Sequence, residues 1–252
     1  MRTGIVSRAR QAEGGLLGTW VKLPSLETIE LLAHAGFDFV VIDLEHSTLG
    51  LETAYRLIFA AQALGMAALV RLADQSGTAI QPLLDGGADG LLVPRVTRLD
   101  MAAEVARKMV FAPAGERGLG PTARAGRWGL IPLPDYLAHG RNETLRMLQL
   151  EDWAALKQAG DYAAVDGVNG LFVGTGDLFL SSGKPPGHPD VQALVGRMLS
   201  ATKDKGVLSG IAVGTPDEAR RHLAMGFNLV MLSNDATMFG RAAASLVQET
   251  RP

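Results

Sequence analysis

The chain has 252 residues, 47% of them hydrophobic, and a formal net charge of −2. That length and hydrophobic content suffice to bury one large core, so we expect residues 1–252 to form a single domain. Because the charge is near zero and Lys and Arg are scattered, we expect neither nucleic acid nor a membrane as a partner. The absence of Cys excludes disulfides, thiolate metal ligands and thiol nucleophiles.

The N-terminal 14 residues are polar and include three Arg, with no apolar segment of the signal-peptide kind after them. This pattern argues against a signal peptide. No uncharged apolar run reaches the roughly 18 residues that a membrane-spanning helix needs. We therefore expect a cytoplasmic protein.

Apolar, β-prone runs alternate with amphipathic stretches along the chain. The alternation predicts a parallel sheet of the α/β class, and eight units predict closure into a (β/α)₈ TIM-type barrel, with an open doubly wound sheet as the alternative. The predicted strands are 16–21, 37–42, 67–70, 90–93, 146–150, 170–173, 209–213 and 229–232. The predicted helices are 26–35, 53–64, 79–86, 101–110, 152–159, 191–203 and 216–225.

Glycines and one long insert interrupt this alternation. Glycines at positions 36, 65, 86–87 and 226 follow predicted helices and are expected to end them in a left-handed conformation. The insert 113–140 is rich in Gly, Pro and Arg, and a structureless span of this length in a compact domain is usually functional. Its candidates for closing over an anionic substrate, against the alternative of a solvated or interface loop, are Arg117, Gly118, Gly120 and Arg124.

Acidic residues follow the fifth and sixth predicted strands, whose C-terminal ends would meet at the barrel mouth. Gln149 and Glu151 lie two apart on one strand, so both are expected to face inward. Asp177 follows the sixth strand in a Gly-rich turn. Two carboxylates without Cys or His beside them predict a hard divalent cation, Mg²⁺ or Mn²⁺, with Co²⁺, Ni²⁺ and Zn²⁺ as alternatives. The non-metal alternative is that Asp177 caps a helix and Glu151 pairs with Arg71.

Basic groups are predicted at the same mouth. Arg71 ends the third strand, and its permanent charge suits a keto or enolate oxygen, unless it forms a buried ion pair with a barrel acid. His46 lies three residues after Asp43, so we expect that carboxylate to bind one ring nitrogen and orient the other for proton transfer. Lys22 is the lysine placed to form a Schiff base, although a solvated side chain is the preferred interpretation. Glu45 is either a supporting residue or merely exposed.

Five segments, taken in order, resemble the HpcH/HpaI aldolase family of metal-dependent class II pyruvate aldolases. They read GFDFVVIDLEH (36–46), LLDGGADGLLVP (83–94), PAGERG (113–118), QLE (149–151) and VGTGDL (173–178). The resemblance implies a (β/α)₈ barrel whose last helix is exchanged between protomers, in a homo-oligomer that is commonly a hexamer built from dimers. It also implies reversible cleavage of 4-hydroxy-2-oxo acids to pyruvate and an aldehyde.

The resemblance assigns roles to the residues at the mouth. Glu151 and Asp177 match the family's metal ligands, and Arg71 matches the residue that stabilises the pyruvate enolate. His46 with Asp43 matches the proton-transfer pair.

The resemblance also implies residues that hold or shape the substrate. Gln149 and the backbone around Gly176 would help to hold pyruvate, and Asp85 would reach the site from a neighbouring protomer. The family often has Pro-Ala where this chain has Thr175 and Gly176, and Trp20 stands at the end of the first strand. These positions therefore bear on the size of the aldehyde that the site accepts.

Three other functions remain open. A lyase of acyl-CoA thioesters, as in the citrate lyase and malyl-CoA lyase relatives, would need a basic groove for the CoA phosphates. A barrel that binds a keto acid without turning it over would need no proton-transfer pair. Imine chemistry at Lys22 would be indifferent to a chelator.

Overall fold

The computed structural model describes residues 3–251, whereas Met1, Arg2 and Pro252 lie outside the described residues. Within that range, eight parallel strands form one closed barrel in chain order, and the eighth strand pairs with the first. The strands are β1 (Leu16–Val21), β2 (Phe39–Asp43), β3 (Ala67–Arg71), β4 (Gly90–Val93), β5 (Leu145–Leu150), β6 (Gly170–Val173), β7 (Leu208–Val213) and β8 (Leu229–Asn234).

Helices lie between and beyond the strands. They are α1 (Ile5–Gln11), α2 (Leu26–His34), α3 (Leu51–Ala63), α4 (Ile80–Asp85), α5 (Leu99–Met109), α6 (Leu133–Asn142), α7 (Trp153–Lys157), α8 (Ala159–Ala163), α9 (Thr175–Ser182), α10 (Pro189–Lys205), α11 (Pro216–Met225) and α12 (Asp235–Thr250). A 3₁₀-helix spans Arg124–Gly129. The predicted (β/α)₈ barrel is thus confirmed, and the open-sheet alternative is wrong because β8 pairs with β1. That residues 1–252 form one domain stays a prediction.

Alternation along each strand divides the core into two layers. In β2, Val40 and Ile42 pack outward with the helices, whereas Phe39 and Val41 pack inside the barrel. All five residues of this strand are buried, which is why strands of this kind appear in the sequence as continuous apolar runs.

The sequence missed α1, which packs against the N-terminal end of the barrel. Its Ile5, Val6 and Ala9 are buried in the inner layer with the first residues of several strands, among them Leu16 and Phe39. A seven-residue helix with three buried apolar residues carries too weak a periodic signal to be recognised before the barrel that it covers is known.

The prediction that 113–140 is structureless is wrong in part. The segment contains the 3₁₀-helix and α6, whose Tyr136 is buried and packs on Phe111 with ring centroids 5.4 Å apart. The predicted helix 152–159 is broken into α7 and α8 at Gln158. The glycines expected to end helices do so with positive φ at positions 36, 65, 87 and 226, whereas Gly86 remains right-handed.

Between residues 3 and 251, no helix is both long enough and apolar enough to cross a membrane.

Candidate active site

A cavity of about 320 Å³ opens where the C-terminal ends of the strands meet. It brings together most of the residues that the sequence singled out for the site. Those residues are Trp20, His46, Arg71, Gln149, Glu151, Thr175, Gly176 and Asp177. The other lining residues are Lys22, Phe172, Gly174, Ala212 and Asn234.

Glu151 follows β5, is buried and lines this cavity. Its Oε1 accepts a hydrogen bond of 2.6 Å from the backbone N–H of Arg95, and its Oε2 accepts one from Nε2 of Gln149. Burial raises the pKa of Glu151 to about 7, and the charges of Asp177 and Glu45 act in the same direction, against the lowering effect of the two hydrogen bonds. A buried carboxylate with two acidic neighbours is stabilised by a cation.

Asp177 lies in the first turn of α9, half-buried and on the cavity wall. The helix is capped by Gly174 rather than by the Asp177 side chain, so the predicted capping alternative is wrong. A Cβ atom at Gly174 would lie 2.7 Å from Oε2 of Glu151 and 2.8 Å from Nε2 of Gln149. The absence of a side chain at Gly174 therefore lets α9 begin directly beside the β5 residues of the site.

The donor set at this position fits a hard divalent cation. Glu151 and Asp177 supply carboxylates, and Oε1 of Gln149 is buried with no hydrogen-bond partner. Within residues 3–251, no group of three or more His, Cys, Asp or Glu residues is arranged to hold a metal ion. Two carboxylates leave most of an octahedral shell to water or substrate oxygens, which suits Mg²⁺ or Mn²⁺ better than a structural zinc site.

Asp43 is fully buried and contacts two cationic side chains that line the cavity. Arg71 donates to it through Nε at 2.9 Å and Nη2 at 2.7 Å, and Nζ of Lys22 lies 2.8 Å from Oδ2. Burial by itself would raise the pKa of Asp43, but the hydrogen bonds and charge of Arg71, with the Lys22 contact, hold it well below its usual range. The expectation of a solvated Lys22 is therefore wrong, because its ammonium group is paired.

The expected Asp43–His46 side-chain contact is not formed. Oδ1 of Asp43 instead accepts from the backbone N–H groups of Glu45 at 3.1 Å and His46 at 3.2 Å, because the three-residue spacing folds into a turn around the carboxylate. The His46 ring remains on the cavity wall, with Nε2 3.5 Å from Oε2 of Glu45. Its role in proton transfer stays a prediction.

Glu45 and Arg95 complete a charge network that the sequence did not reveal, in which Glu45 is buried and Arg95 is largely exposed. Only 6% of the Glu45 side chain is exposed, which excludes the merely exposed alternative. Its carboxylate lies 3.2 Å from Nη1 of Arg71 and 3.0 Å from Nε of Arg95. The available signal was a charged residue two positions after the end of β4, in the segment Val93-Pro94-Arg95. The expected pairing of Arg71 with a barrel acid is present, but with Asp43 and Glu45 rather than Glu151.

Asp85 and the basic residues of the insert lie away from this cavity within the chain. Asp85 ends α4 and lies 3.1 Å from Nη2 of Arg117, whose guanidinium packs 4.2 Å from the centroid of the Phe111 ring. Arg124 donates to the carbonyl of Gly86 at 3.0 Å. These contacts pack the insert against α4, so closure over the substrate in the same chain is not observed. A contribution of Asp85 to a neighbouring protomer stays a prediction.

Comparison with known proteins identifies relatives along nearly the whole chain. Residues 16–242 match the family model described as HpcH/HpaI aldolase/citrate lyase. A 4-hydroxy-2-oxo-heptane-1,7-dioate aldolase of Escherichia coli is 36% identical over 233 residues, 91% of this chain and 88% of the relative.

Solved structures agree with this comparison. An HpcH/HpaI aldolase/citrate lyase family protein from Burkholderia cenocepacia J2315 has a TM-score of 0.87 and 32% identity, covering 98% of this chain and 99% of its own. The citrate synthase SbnG has a TM-score of 0.85 and 25% identity, with 98% of each chain covered.

Proposed function

Because this chain belongs to the HpcH/HpaI aldolase/citrate lyase family and is therefore a lyase, we propose that it reversibly cleaves a 4-hydroxy-2-oxo acid to pyruvate and an aldehyde with a divalent metal ion. One observation carries the proposal. Glu151, Asp177 and Arg71 share the wall of one cavity at the barrel mouth, next to the unpartnered Oε1 of Gln149. The 4-hydroxy-2-oxo-heptane-1,7-dioate aldolase relative supports this substrate class.

Glu151 and Asp177 would hold the ion, which is Mg²⁺ or Mn²⁺ in this proposal. When bound, the ion supplies Lewis acidity that stabilises negative charge on the oxo oxygen of the substrate. The chain's own contribution is orientation, because the backbone N–H of Arg95 and the amide of Gln149 hold the two oxygens of Glu151. The amide of Gln149 also lines the space in which pyruvate would lie.

Arg71 would stabilise the charge that develops on pyruvate. Its guanidinium is fixed by Asp43 on one side and lies 4.2 Å from the centroid of the Trp20 ring. A preorganised, permanently charged donor of this kind stabilises an oxyanion without reorganising during the reaction. When the C3–C4 bond breaks, its electron pair passes to the pyruvate fragment as an enolate, which Arg71 faces from the cavity wall.

His46 would move the proton. In cleavage, its ring takes the proton of the 4-hydroxyl, through water, and the aldehyde leaves. Glu45, 3.5 Å from Nε2, would stabilise the protonated ring. A proton then returns to C3 of the enolate, and pyruvate is released.

The alternatives have weaker support. Imine formation requires a neutral, accessible amine, but Nζ of Lys22 is paired with Asp43 and also donates to the carbonyl of His46 at 3.2 Å. Family membership makes the chain an enzyme, which argues against a non-catalytic keto-acid-binding barrel. An acyl-CoA lyase remains the rival within the family, and CoA would then compete in an assay of pyruvate release.

The test is a coupled assay of pyruvate release over a panel of 4-hydroxy-2-oxo acids, with and without EDTA. We expect release from at least one substrate, loss of release with EDTA, and recovery with excess Mg²⁺ or Mn²⁺. Glu151→Ala should abolish the metal-dependent turnover. Full activity of that variant in the presence of chelator would show that the metal assignment is wrong.

We also propose that the chain assembles with copies of itself, as a hexamer made of three dimers. Helix α12 supports this, because Asp235 is its buried residue within the described range while Phe239, Leu246 and Val247 are 74%, 67% and 49% exposed. The carboxylate of Asp235 accepts hydrogen bonds from the backbone N–H groups of Lys22 and Leu23, which attaches the start of the helix to the end of β1. An apolar helix face of this kind is stabilised by burial against another protomer. In such an assembly Asp85 would approach a neighbour's site.

A further inference from the structure

Arg95 has an unusual backbone conformation for its residue type. It follows Val93 and Pro94 at the end of β4, and its φ is 51°, in the left-handed region that favours glycine. Its side chain is 57% exposed, so burial of the arginine does not account for the conformation. Backbone strain persists where the surrounding structure maintains it, and such positions are concentrated at functional sites.

In this left-handed conformation, the backbone N–H of Arg95 points towards Glu151, which lines the cavity. That N–H donates to Oε1 of Glu151 at 2.6 Å. The other oxygen of Glu151 accepts from Gln149, and Gly174 leaves the space beside it open. One main-chain donor and one amide therefore determine the direction in which the carboxylate points.

The side chain of Arg95 keeps the backbone in place from the other direction. Its Nε lies 3.0 Å from Oε1 of Glu45, and its Nη2 donates to the carbonyl of Ala73 at 3.4 Å. Glu45 is in turn held by Arg71 at 3.2 Å. Arg95 thus connects Glu151, a proposed ligand of the cation, with the charge network around Arg71.

We propose that Arg95 is a positioning residue for the divalent-cation site, and that it acts through its backbone N–H, which the left-handed conformation presents to Glu151. The inference rests on the proposed function, since it concerns the carboxylate assigned to the metal. Its physical basis is preorganisation, because a carboxylate held in the binding direction before the ion arrives loses less freedom on binding. The guanidinium is secondary in this role.

Two substitutions separate the backbone conformation from the side chain. Arg95→Gly and Arg95→Val both remove the Glu45 ion pair, but glycine adopts positive φ freely whereas a β-branched residue does not. We expect the dissociation constant for Mn²⁺, measured by electron paramagnetic resonance of the free ion, to stay within about threefold of wild type for Arg95→Gly. For Arg95→Val it should rise about tenfold or more, because the N–H turns away from Glu151.

Arg127 provides a matched control. It is also an arginine with left-handed φ, at 48°, but it lies within the insert 113–140 and lines a separate cavity. Arg127→Val imposes the same kind of backbone strain away from the site, so it should leave the Mn²⁺ dissociation constant unchanged. Circular dichroism and thermal melting establish that each variant is folded, and Arg95→Ala, which also disfavours positive φ, replaces Arg95→Val if the latter is unfolded.

The outcomes are distinct. Equal Mn²⁺ dissociation constants for the Gly and Val variants, whether both tight or both weak, overturn the inference and leave the proposed function standing. The inference is also overturned if Arg127→Val weakens Mn²⁺ binding as much as Arg95→Val does. Backbone strain anywhere in the chain would then weaken the binding. A wild-type protein that does not bind Mn²⁺ overturns the proposed metal site and this inference together.

Discussion

At the scale of single residues, the barrel mouth places two buried carboxylates in opposite environments. Asp43 is surrounded by Arg71 and Lys22, which hold its pKa below the usual range despite its burial. Glu151 is also buried, but its burial, together with its acidic neighbours, raises its pKa to about 7. Burial penalises both charges, so the difference comes from the partners. Asp43 is paired with cationic side chains of the chain itself, whereas Glu151 has acidic neighbours, which supports the proposed cation site.

Asp43→Asn should destabilise the protein in a pH-dependent way. At pH 7 we expect the free energy of unfolding to fall by about 3 kcal/mol, because Arg71 and Lys22 lose a buried counter-charge. The native pKa of Asp43 lies below its unfolded value of about 3.9, so this contribution is complete above that pH and is lost as the pH falls below it. Urea unfolding of the wild type and of Asp43→Asn should therefore show a smaller difference in the free energy of unfolding at pH 3 than at pH 7.

The control for this measurement is Asp100→Asn, which removes an exposed carboxylate paired with Arg98. Surface pairs contribute little, so no measurable change is expected at pH 7. A difference between wild type and Asp43→Asn that is the same at both pH values would contradict the assigned ion pair.

At the scale of elements, the site depends on how closely α9 follows β6. Gly174 is the single residue between the end of β6 and the start of α9. Because it has no side chain, it leaves room for the side chains of Gln149, in β5, and Glu151, the residue after β5. This junction places Asp177 in the first turn of the helix, where the helix dipole favours its negative charge. The two proposed metal ligands therefore lie close in the fold, because Glu151 follows β5 and Asp177 follows the neighbouring β6 after the short Gly174 connection.

Gly174→Ala tests this junction. The added methyl group would lie 2.7 Å from Oε2 of Glu151, so the carboxylate or the start of α9 must shift. We expect the Mn²⁺ dissociation constant to rise about tenfold, with a loss of roughly 1–3 kcal/mol in the free energy of unfolding. Isothermal titration calorimetry and thermal melting provide the two measurements.

Gly196→Ala is the matched control, because a Cβ atom at Gly196 in α10 meets nothing within 4 Å. It should raise stability by roughly 0.5–1 kcal/mol and leave Mn²⁺ binding unchanged. Unaltered Mn²⁺ affinity in Gly174→Ala would mean that the junction does not control the position of Glu151.

At the scale of the whole molecule, the two ends of the chain differ in how they meet the barrel. Helix α1 buries its apolar residues against the N-terminal end of the strands. Helix α12 instead leaves large apolar side chains exposed along its length. The apolar surface of the first is buried within the chain, whereas that of the second is exposed, which supports the proposed assembly.

Charging the exposed face of α12 should therefore weaken assembly. Phe239→Glu combined with Leu246→Glu is expected to shift the mass measured by light scattering after size exclusion from that of an oligomer towards that of one chain. Leu31→Glu places the same charge on an exposed position of α2, 69% accessible, and should leave the mass unchanged. An unaltered oligomer in the double variant would place the interface elsewhere.

The sequence by itself predicted the strands, their closure into a barrel, and the end of the barrel at which the candidate site lies. Strand positions such as Leu16–Val21, Gly90–Val93 and Gly170–Val173 agree with the structure residue for residue, because apolar runs and helix-ending glycines are local signals. Once the strands are known to be parallel, residues that follow them must lie at one end of the barrel. This reasoning predicted most of the residues that line the cavity.

Only the tertiary structure decided which charges are paired. Asp43 contacts Arg71 and Lys22, 28 and 21 positions away, rather than the ring of His46 three positions away. Oε1 of Glu151 accepts from the backbone N–H of Arg95, and no side-chain pattern in the sequence indicates a backbone donor. Pairing depends on side-chain conformation and on distances between separate strands, whereas periodicity reports only the face on which a residue lies.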